Sequence, residues 1–286
     1  MKFYAVMVAV FAAVCLGAVS PVLAAVPSEW SLGFQNAATP VMERLISFHN
    51  LLLWIISGIT IFVLVLLIYV AVRFREKANP TPSKTTHNVP LEIVWTVVPI
   101  IILIVIVIPS LQLLYYMDKT AKPEMTLKVT GYQWYWGYEY PDHGGVTFES
   151  RMVAEKDLAA GQPRLMATDN PVVIPVDTDI EVLVTAADVL HSFAVPAFGV
   201  KKDAVPGRLN HTWMRVTKPG TYYGQCSELC GKDHAFMPIE FKAVPRAEFD
   251  AWIADQKKAQ GIADVVAPVP AVTGDTPLSD ITAHGT

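Results

Sequence analysis

Two long stretches without a charged side chain constrain this sequence more than any other feature. Residues 51–72 read LLLWIISGITIFVLVLLIYVAV, and residues 93–116 likewise contain no Asp, Glu, Lys or Arg. A helix rising ~1.5 Å per residue over such a stretch crosses a hydrocarbon layer of ~30 Å with some tilt. Pro99 and Pro109 interrupt the second stretch, which membrane helices tolerate when neighbours re-satisfy the freed carbonyls. One such stretch could be the core helix of a soluble protein. Two of them, separated by a short polar connector, predict a transmembrane hairpin over residues 26–117, with helices at about 45–73 and 91–116.

The connector carries Arg73, Arg75, Lys77 and Lys84 against Glu76 and Glu92, and so belongs on the cytoplasmic side. Both ends of the hairpin then lie on the opposite side. The N-terminus supports the same orientation. Lys2 precedes an apolar run over residues 3–22, and small residues follow at Ala24 and Ala25, as in a secretory signal peptide occupying residues 1–25. Its removal would take Cys15 away and leave Cys226 and Cys230 as the cysteines of the mature chain.

From Asp118 onward the character changes. Short runs rich in β-branched and aromatic residues fall at 126–130, 172–176, 180–185, 212–216, 221–225 and 239–244. Pro171, Gly199, Pro206-Gly207 and Pro219-Gly220 punctuate them. This pattern predicts a Greek-key β-barrel or sandwich over residues 118–258. Residues 246–260 read as a helix with Phe249, Trp252 and Ile253 on one face. The remainder, 259–286, is rich in Ala, Pro, Val and Thr and reads as a mobile tail. The fold class is therefore an α+β membrane protein, with a two-helix hairpin ahead of an extracytoplasmic β domain. Charged residues make up 17% of the chain and the formal net charge is −4, which argues against a nucleic-acid binder. Residues 118–286 hold 22 acids and 16 bases, so the outer domain is acidic and suited to a basic partner.

The chemistry concentrates in GQCSELCGKDHAFM, residues 224–237. Cys226 and Cys230 are four apart, His234 is four further on, and Met237 follows three later. Thiolate, imidazole and thioether are the ligands that select copper. A further imidazole, His191, follows the run at 180–185, giving the ligand order of a cupredoxin-type site. One blue-copper ion needs a single Cys, two His and a weak Met. The additional Cys suggests two metals sharing both thiolates, each with one His and one weak axial ligand. Met237 could serve one metal and the carbonyl oxygen of Glu228 the other. Two alternatives remain open: a Cys226–Cys230 disulfide leaves the His and Met spacing unexplained, and zinc leaves Met237 without a role.

Taken with other motifs, this loop resembles subunit II of the haem–copper cytochrome c oxidases. The resemblance covers nearly the whole mature chain. It rests on Thr86-His87-Asn88, LEIVWT at 91–96, GYQWYWGYEY at 131–140, DAVPGR at 203–208 and the loop at 226–237. The signal peptide and the proline-containing tail point to a bacterial form in the inner membrane, with the cupredoxin-like domain in the periplasm.

The resemblance implies a binuclear copper centre held by His191, Cys226, Glu228, Cys230, His234 and Met237. It also implies that the Glu228 carboxylate reaches a magnesium ion at the boundary with subunit I, as befits a hard ligand. Trp134 would receive electrons from cytochrome c, and Glu139, Glu149, Asp169 and Asp188 would meet the lysines around its haem edge. Glu92 would stand at the mouth of a proton path into subunit I. By position alone it is an acid at the start of a membrane helix, which fits a proton path or an interfacial helix-end acid. The expected partners are subunit I and other oxidase subunits, cytochrome c and membrane lipid, with no nucleic acid. The expected function is electron transfer from cytochrome c into an oxygen-reducing, proton-pumping complex. Three rivals fit less well. A quinol oxidase subunit would lack the copper ligands, and a nitrous-oxide reductase would need a large catalytic domain. A copper-delivery protein would need exchangeable ligands.

Overall fold

The computed structural model describes residues 30–118 and 122–262. The expected signal peptide at 1–25 and all but the first residues of the expected tail lie outside them.

Two helices open the described chain, α1 (Pro40–Arg73) and α2 (Val89–Asp118). Helix α1 begins earlier than residue 45 because the chain before it is capped and anchored. The Thr39 hydroxyl accepts a hydrogen bond from the Met42 N–H at 3.1 Å, and Pro40 occupies a first-turn position. Thr39 also donates to the Phe198 carbonyl at 2.7 Å, while Ala38 pairs through its backbone with Ala197 and Thr217. Val41 and Met42 are buried as a result. Helix α2 is capped by Asn88, whose side-chain oxygen accepts from Leu91 N–H at 3.2 Å. The apolar lengths of both helices remain uncovered, with exposed Ile, Leu and Val on every side. A helix apolar all round, left bare by its own chain, is solvated by lipid or by partner helices.

The β domain consists of two five-stranded sheets. One has the order β3-β2-β1-β5-β8, formed by Val146–Ser150, Tyr135–Tyr140, Met125–Tyr132, Ile180–Ala186 and Asn210–Met214. The other has the order β4-β10-β9-β6-β7, formed by Val172–Pro175, Pro238–Val244, Gly220–Cys226, His191–Val195 and Val200–Ala204. Of the expected barrel or sandwich, the two sheets form a sandwich. Pairs β1/β5 and β4/β10 are parallel, and the other pairs are antiparallel.

Strand periodicity explains the core. Along β1 buried and half-buried residues alternate, so Leu127 and Val129 point inward. Along β2 the inward set is Trp136, Tyr138 and Tyr140. They meet Phe193, Ile239 and Phe241 from the other sheet in one continuous core. The last helix, α3 (Arg246–Ala259), buries Phe249 and Ile253.

The sandwich is tied to the hairpin at one corner. The Trp213 indole N–H donates to the Tyr116 carbonyl at 2.8 Å, and the two rings meet edge to face at 5.3 Å. This contact satisfies a carbonyl that the end of α2 would otherwise leave orphaned.

Candidate metal centre

The site forms where β6, the end of β9 and the β9–β10 loop meet at one end of the sandwich. His191 is the first residue of β6, and Cys226 is the last of β9. The pairing of β6 with β9 sets Phe193 opposite Cys226, so His191 lies close to the cysteine. The Ser227 N–H donates to the Ser192 carbonyl at 2.9 Å and continues that pairing into the loop.

Within this frame the potential ligand atoms converge. Cys226 Sγ lies 3.8 Å from His191 Nδ1, 3.9 Å from Cys230 Sγ and 3.4 Å from the Glu228 carbonyl oxygen. Cys230 Sγ lies 3.4 Å from His234 Nδ1 and 3.5 Å from Met237 Sδ. The ligand atoms of His191, Cys226 and Cys230 all fall within 4.8 Å of one another, and the three residues are buried. The two thiols are free.

Their electrostatics call for a cation. Burial pushes the Cys226 thiol up, but hydrogen bonds to His191, to the Glu228 and Ser192 backbone and to Cys230 together outweigh it and bring the pKa down. Burial and the neighbouring Cys226 charge hold Cys230 up. Two thiolates this close in an apolar setting repel each other, and a bound metal cation removes that conflict. The donor set is soft sulfur and imidazole, which fits copper.

Other residues fix the ligands in place. His191 turns Nδ1 toward the sulfur and sets Nε2 2.9 Å from Asp188 Oδ1. Burial lowers the imidazole pKa, and the Cys226 and Asp188 contacts raise it to a net increase. Asp188 also accepts from the Gln133 and Val189 N–H groups, at 2.7 and 2.6 Å. Burial raises its pKa, and these bonds with the one to His191 hold it lower overall. Gly131 leaves room for the ring: a Cβ there would sit 2.9 Å from His191 Cδ2. The Trp136 indole donates to the Met237 carbonyl at 3.2 Å, and its ring meets His191 at 5.9 Å.

Trp134 lies against the loop. Its indole N–H donates to the Cys230 carbonyl at 3.2 Å, and the Gln133 side chain donates to the same oxygen at 2.8 Å. Gly231 makes this approach possible, with φ +124° and a would-be Cβ only 2.9 Å from Trp134 Cζ2. Lys232 places its ammonium 5.2 Å from the same ring.

The remaining candidates have varied surroundings. Glu228 is exposed, and its carboxylate has no partner among the described residues. Glu139 pairs with Lys128 at 2.8 Å and Glu149 with Arg151 at 2.6 Å. Asp169 accepts from the Arg151 N–H at 2.7 Å. Glu92 is far from this site in the fold, in the first turn of α2, where it accepts from the Asn88 N–H at 3.2 Å. Sequence reasoning assigned no role to Gln133, Gly131 and Gly231, and it read Asp188 only as a cytochrome c docking acid. The effect of the first three depends on which strands meet, whereas Asp188 stands three residues before His191, a local spacing that could have signalled the contact.

Comparison with known proteins decides the family. The model of the cytochrome c oxidase subunit II periplasmic domain matches residues 125–244, and that of its transmembrane domain matches residues 27–113. The chain belongs to the cytochrome c oxidase subunit II family. A probable cytochrome c oxidase subunit 2 of Rickettsia bellii is 50% identical over 232 residues, 81% of this chain and 86% of the relative. Its counterpart in Rickettsia prowazekii is 52% identical over 232 residues, 81% of this chain and 74% of the relative. The crystal structure of the periplasmic domain of subunit II of cytochrome oxidase of Bradyrhizobium japonicum shares 54% identity. It covers 51% of this chain and 100% of that one, with a TM-score of 0.47.

Membership makes the chain the electron-accepting subunit of a respiratory oxidoreductase of bacterial type. Its two helices lie in the inner membrane and its cupredoxin-like domain in the periplasm. The family carries a copper centre, and the convergent His, Cys and Cys side chains suit one.

Proposed function

We propose that this subunit takes single electrons from cytochrome c at a binuclear copper centre and delivers them toward the haem of subunit I. The observation that carries the reading is the convergence of two thiols, two imidazole nitrogens, a thioether and a carbonyl oxygen within a few ångströms. His191 and His234 would each hold one copper, Cys226 and Cys230 both, and Met237 and the Glu228 carbonyl would be the weak ligands. When bound, the copper pair supplies a one-electron couple shared between two metals.

The protein's own part is preorganisation. The cysteines bind as thiolates, so they give up their protons when the metal enters. Asp188 holds the Nε2–H of His191, which fixes the tautomer and leaves Nδ1 free as a ligand. Burial of His191, Cys226, Cys230 and Met237 excludes water and leaves no side for a substrate. Such a site transfers electrons and does no bond chemistry.

Trp134 would receive the electron. Its half-exposed ring is joined to Cys230 by a hydrogen bond to that residue's own carbonyl, a short route from the surface to a ligand. Asp188, Glu139, Glu149 and Asp169 would draw a basic cytochrome c toward this surface, and their internal pairs make their contribution one of field rather than of free charge. Glu228, exposed next to the loop, would offer its carboxylate to magnesium at the boundary with subunit I. Glu92 would relay protons from the cytoplasm into subunit I.

Electron transfer in the Trp134→Phe variant tests the route. Rapid mixing of the assembled oxidase with reduced cytochrome c should give slower electron transfer with nearly unchanged binding. A normal rate would remove Trp134 from the route.

A further inference from the structure

Near the periplasmic end of the hairpin, α1 and α2 together line a cleft of about 510 Å³. Arg44, Ser47, Phe48 and Leu51 line it from α1, and Pro109, Gln112 and Leu113 from α2. Spacings of three and four put each set on a single helix face. The lining divides by depth. Leu51 is the deepest lining residue of α1 and Pro109 that of α2, and both lie within the long apolar stretches, so the apolar part of the cleft continues into the hydrocarbon region. Arg44 and Ser47 lie one to two turns nearer the periplasm than Leu51, and Gln112 and Leu113 lie about one turn nearer it than Pro109, toward the lipid headgroups.

The polar side of the cleft is rich in hydrogen-bond donors. The Arg44 guanidinium stacks 3.6 Å above the Tyr116 ring. It forms no ion pair among the described residues, and Ser47 and Gln112 make no side-chain hydrogen bond among them. No acidic residue lines the cleft. One fixed cation, a hydroxyl and an amide above an apolar floor match a phosphate group attached to acyl chains. The volume lies within the ~300–1,000 Å³ of ordinary small-molecule sites. Stacking on Tyr116 holds the guanidinium in position, and the same tyrosine receives Trp213 from the β domain.

We infer that this cleft binds one anionic phospholipid of the periplasmic leaflet. Its phosphate meets Arg44, Ser47 and Gln112, and an acyl chain runs along Leu51 and Pro109. A net negative headgroup is favoured over a zwitterionic one because the cleft has a cation and no acid. The bound lipid then fills the gap between the helices directly beneath the corner that carries the sandwich.

Native mass spectrometry of the assembled oxidase, with phosphatidylglycerol as the probe and phosphatidylcholine as the comparison, tests this. The wild-type complex should retain one more phosphatidylglycerol than the Arg44→Gln complex, with retention about fivefold weaker in the variant. Arg44→Lys should retain most of the binding. Because Arg44→Gln also disturbs Tyr116, the double variant Ser47→Ala, Gln112→Leu provides a second reading that leaves that stack intact, and it too should lose lipid. Equal retention in wild type and double variant would overturn the inference. So would a photo-cross-linker at Ser47→Cys that captures another oxidase subunit instead of phospholipid, because the cleft would then be a protein contact.

Discussion

His191 and His234 approach the same pair of cysteines from two sides, and their surroundings differ sharply. His191 is fully buried on a strand, its far nitrogen held by Asp188, its ring packed over Gly131 and edged by Trp136. His234 sits in a single turn of 3-10 helix, half-buried, and its Nε2 has no partner among the described residues. Its loop presents Leu229, 77% exposed, and Phe236, 44% exposed. The contrast separates two tasks. The β6 half is preorganised by this chain alone, so its ligand needs no adjustment when the metal arrives. The loop half carries exposed apolar side chains beside the ligands, where partner subunits can cover them.

Substitutions in the two halves should reveal the difference, beginning with the shared sulfur. Cys226→Ser should abolish the copper pair, since both metals would depend on that thiolate. Copper content per purified oxidase checks this, and two coppers retained would show that Cys226 is not a ligand to both. Asp188→Asn should weaken metal affinity by about 10- to 100-fold, the usual cost of losing an outer partner of a ligating histidine. Competition with a graded series of copper chelators reads it. An unchanged affinity would mean that strand β6, rather than Asp188, orients the ring.

Next in size is Gly131→Ala. Its new methyl would press on the His191 ring and should cost about 1–3 kcal/mol of stability through overpacking. Chemical denaturation of the purified protein gives that number. A neutral result would show that the ring can shift and that the buried half is less rigid than the contrast requires. Met237→Leu should keep both coppers while altering the reduction potential, because a thioether is a weak ligand. Copper loss matching that of Cys226→Ser would make Met237 a principal ligand. On the exposed half, Leu229→Ala should change stability by less than about 0.5 kcal/mol and leave copper content alone. Copper loss there would place the loop among the rigid elements and erase the distinction.

The same contrast explains how much could be read from the chain. Cys226, Glu228, Cys230, His234 and Met237 lie within twelve consecutive residues, so their chemistry is visible as spacing. His191 is 35 residues away from Cys226 and is recognisable by its residue type and by the strand before it. The brace is only partly visible in this way. Asp188 stands only three residues before His191, but the Gln133 N–H that holds its other oxygen comes from the β1–β2 turn, 55 residues away in sequence. The hairpin is legible from hydropathy, but the start of α1 is not, since burial of Val41 and Met42 against the sandwich sets it. Strand β2 is hidden for a further reason. Tyr135–Tyr140 opens with two adjacent aromatics inside a longer aromatic run, which obscures the alternation that sets Trp136, Tyr138 and Tyr140 inward and Gly137 and Glu139 outward. In β7, VKKDA carries three charges in five residues, which masks a strand whose ends are buried.

Electron paramagnetic resonance of the copper-loaded protein tests the central claim most directly. The account predicts one unpaired electron coupled equally to two copper nuclei, with the signal intact in Leu229→Ala and lost in Cys226→Ser. A spectrum of a single copper nucleus from the fully loaded wild-type protein would contradict it.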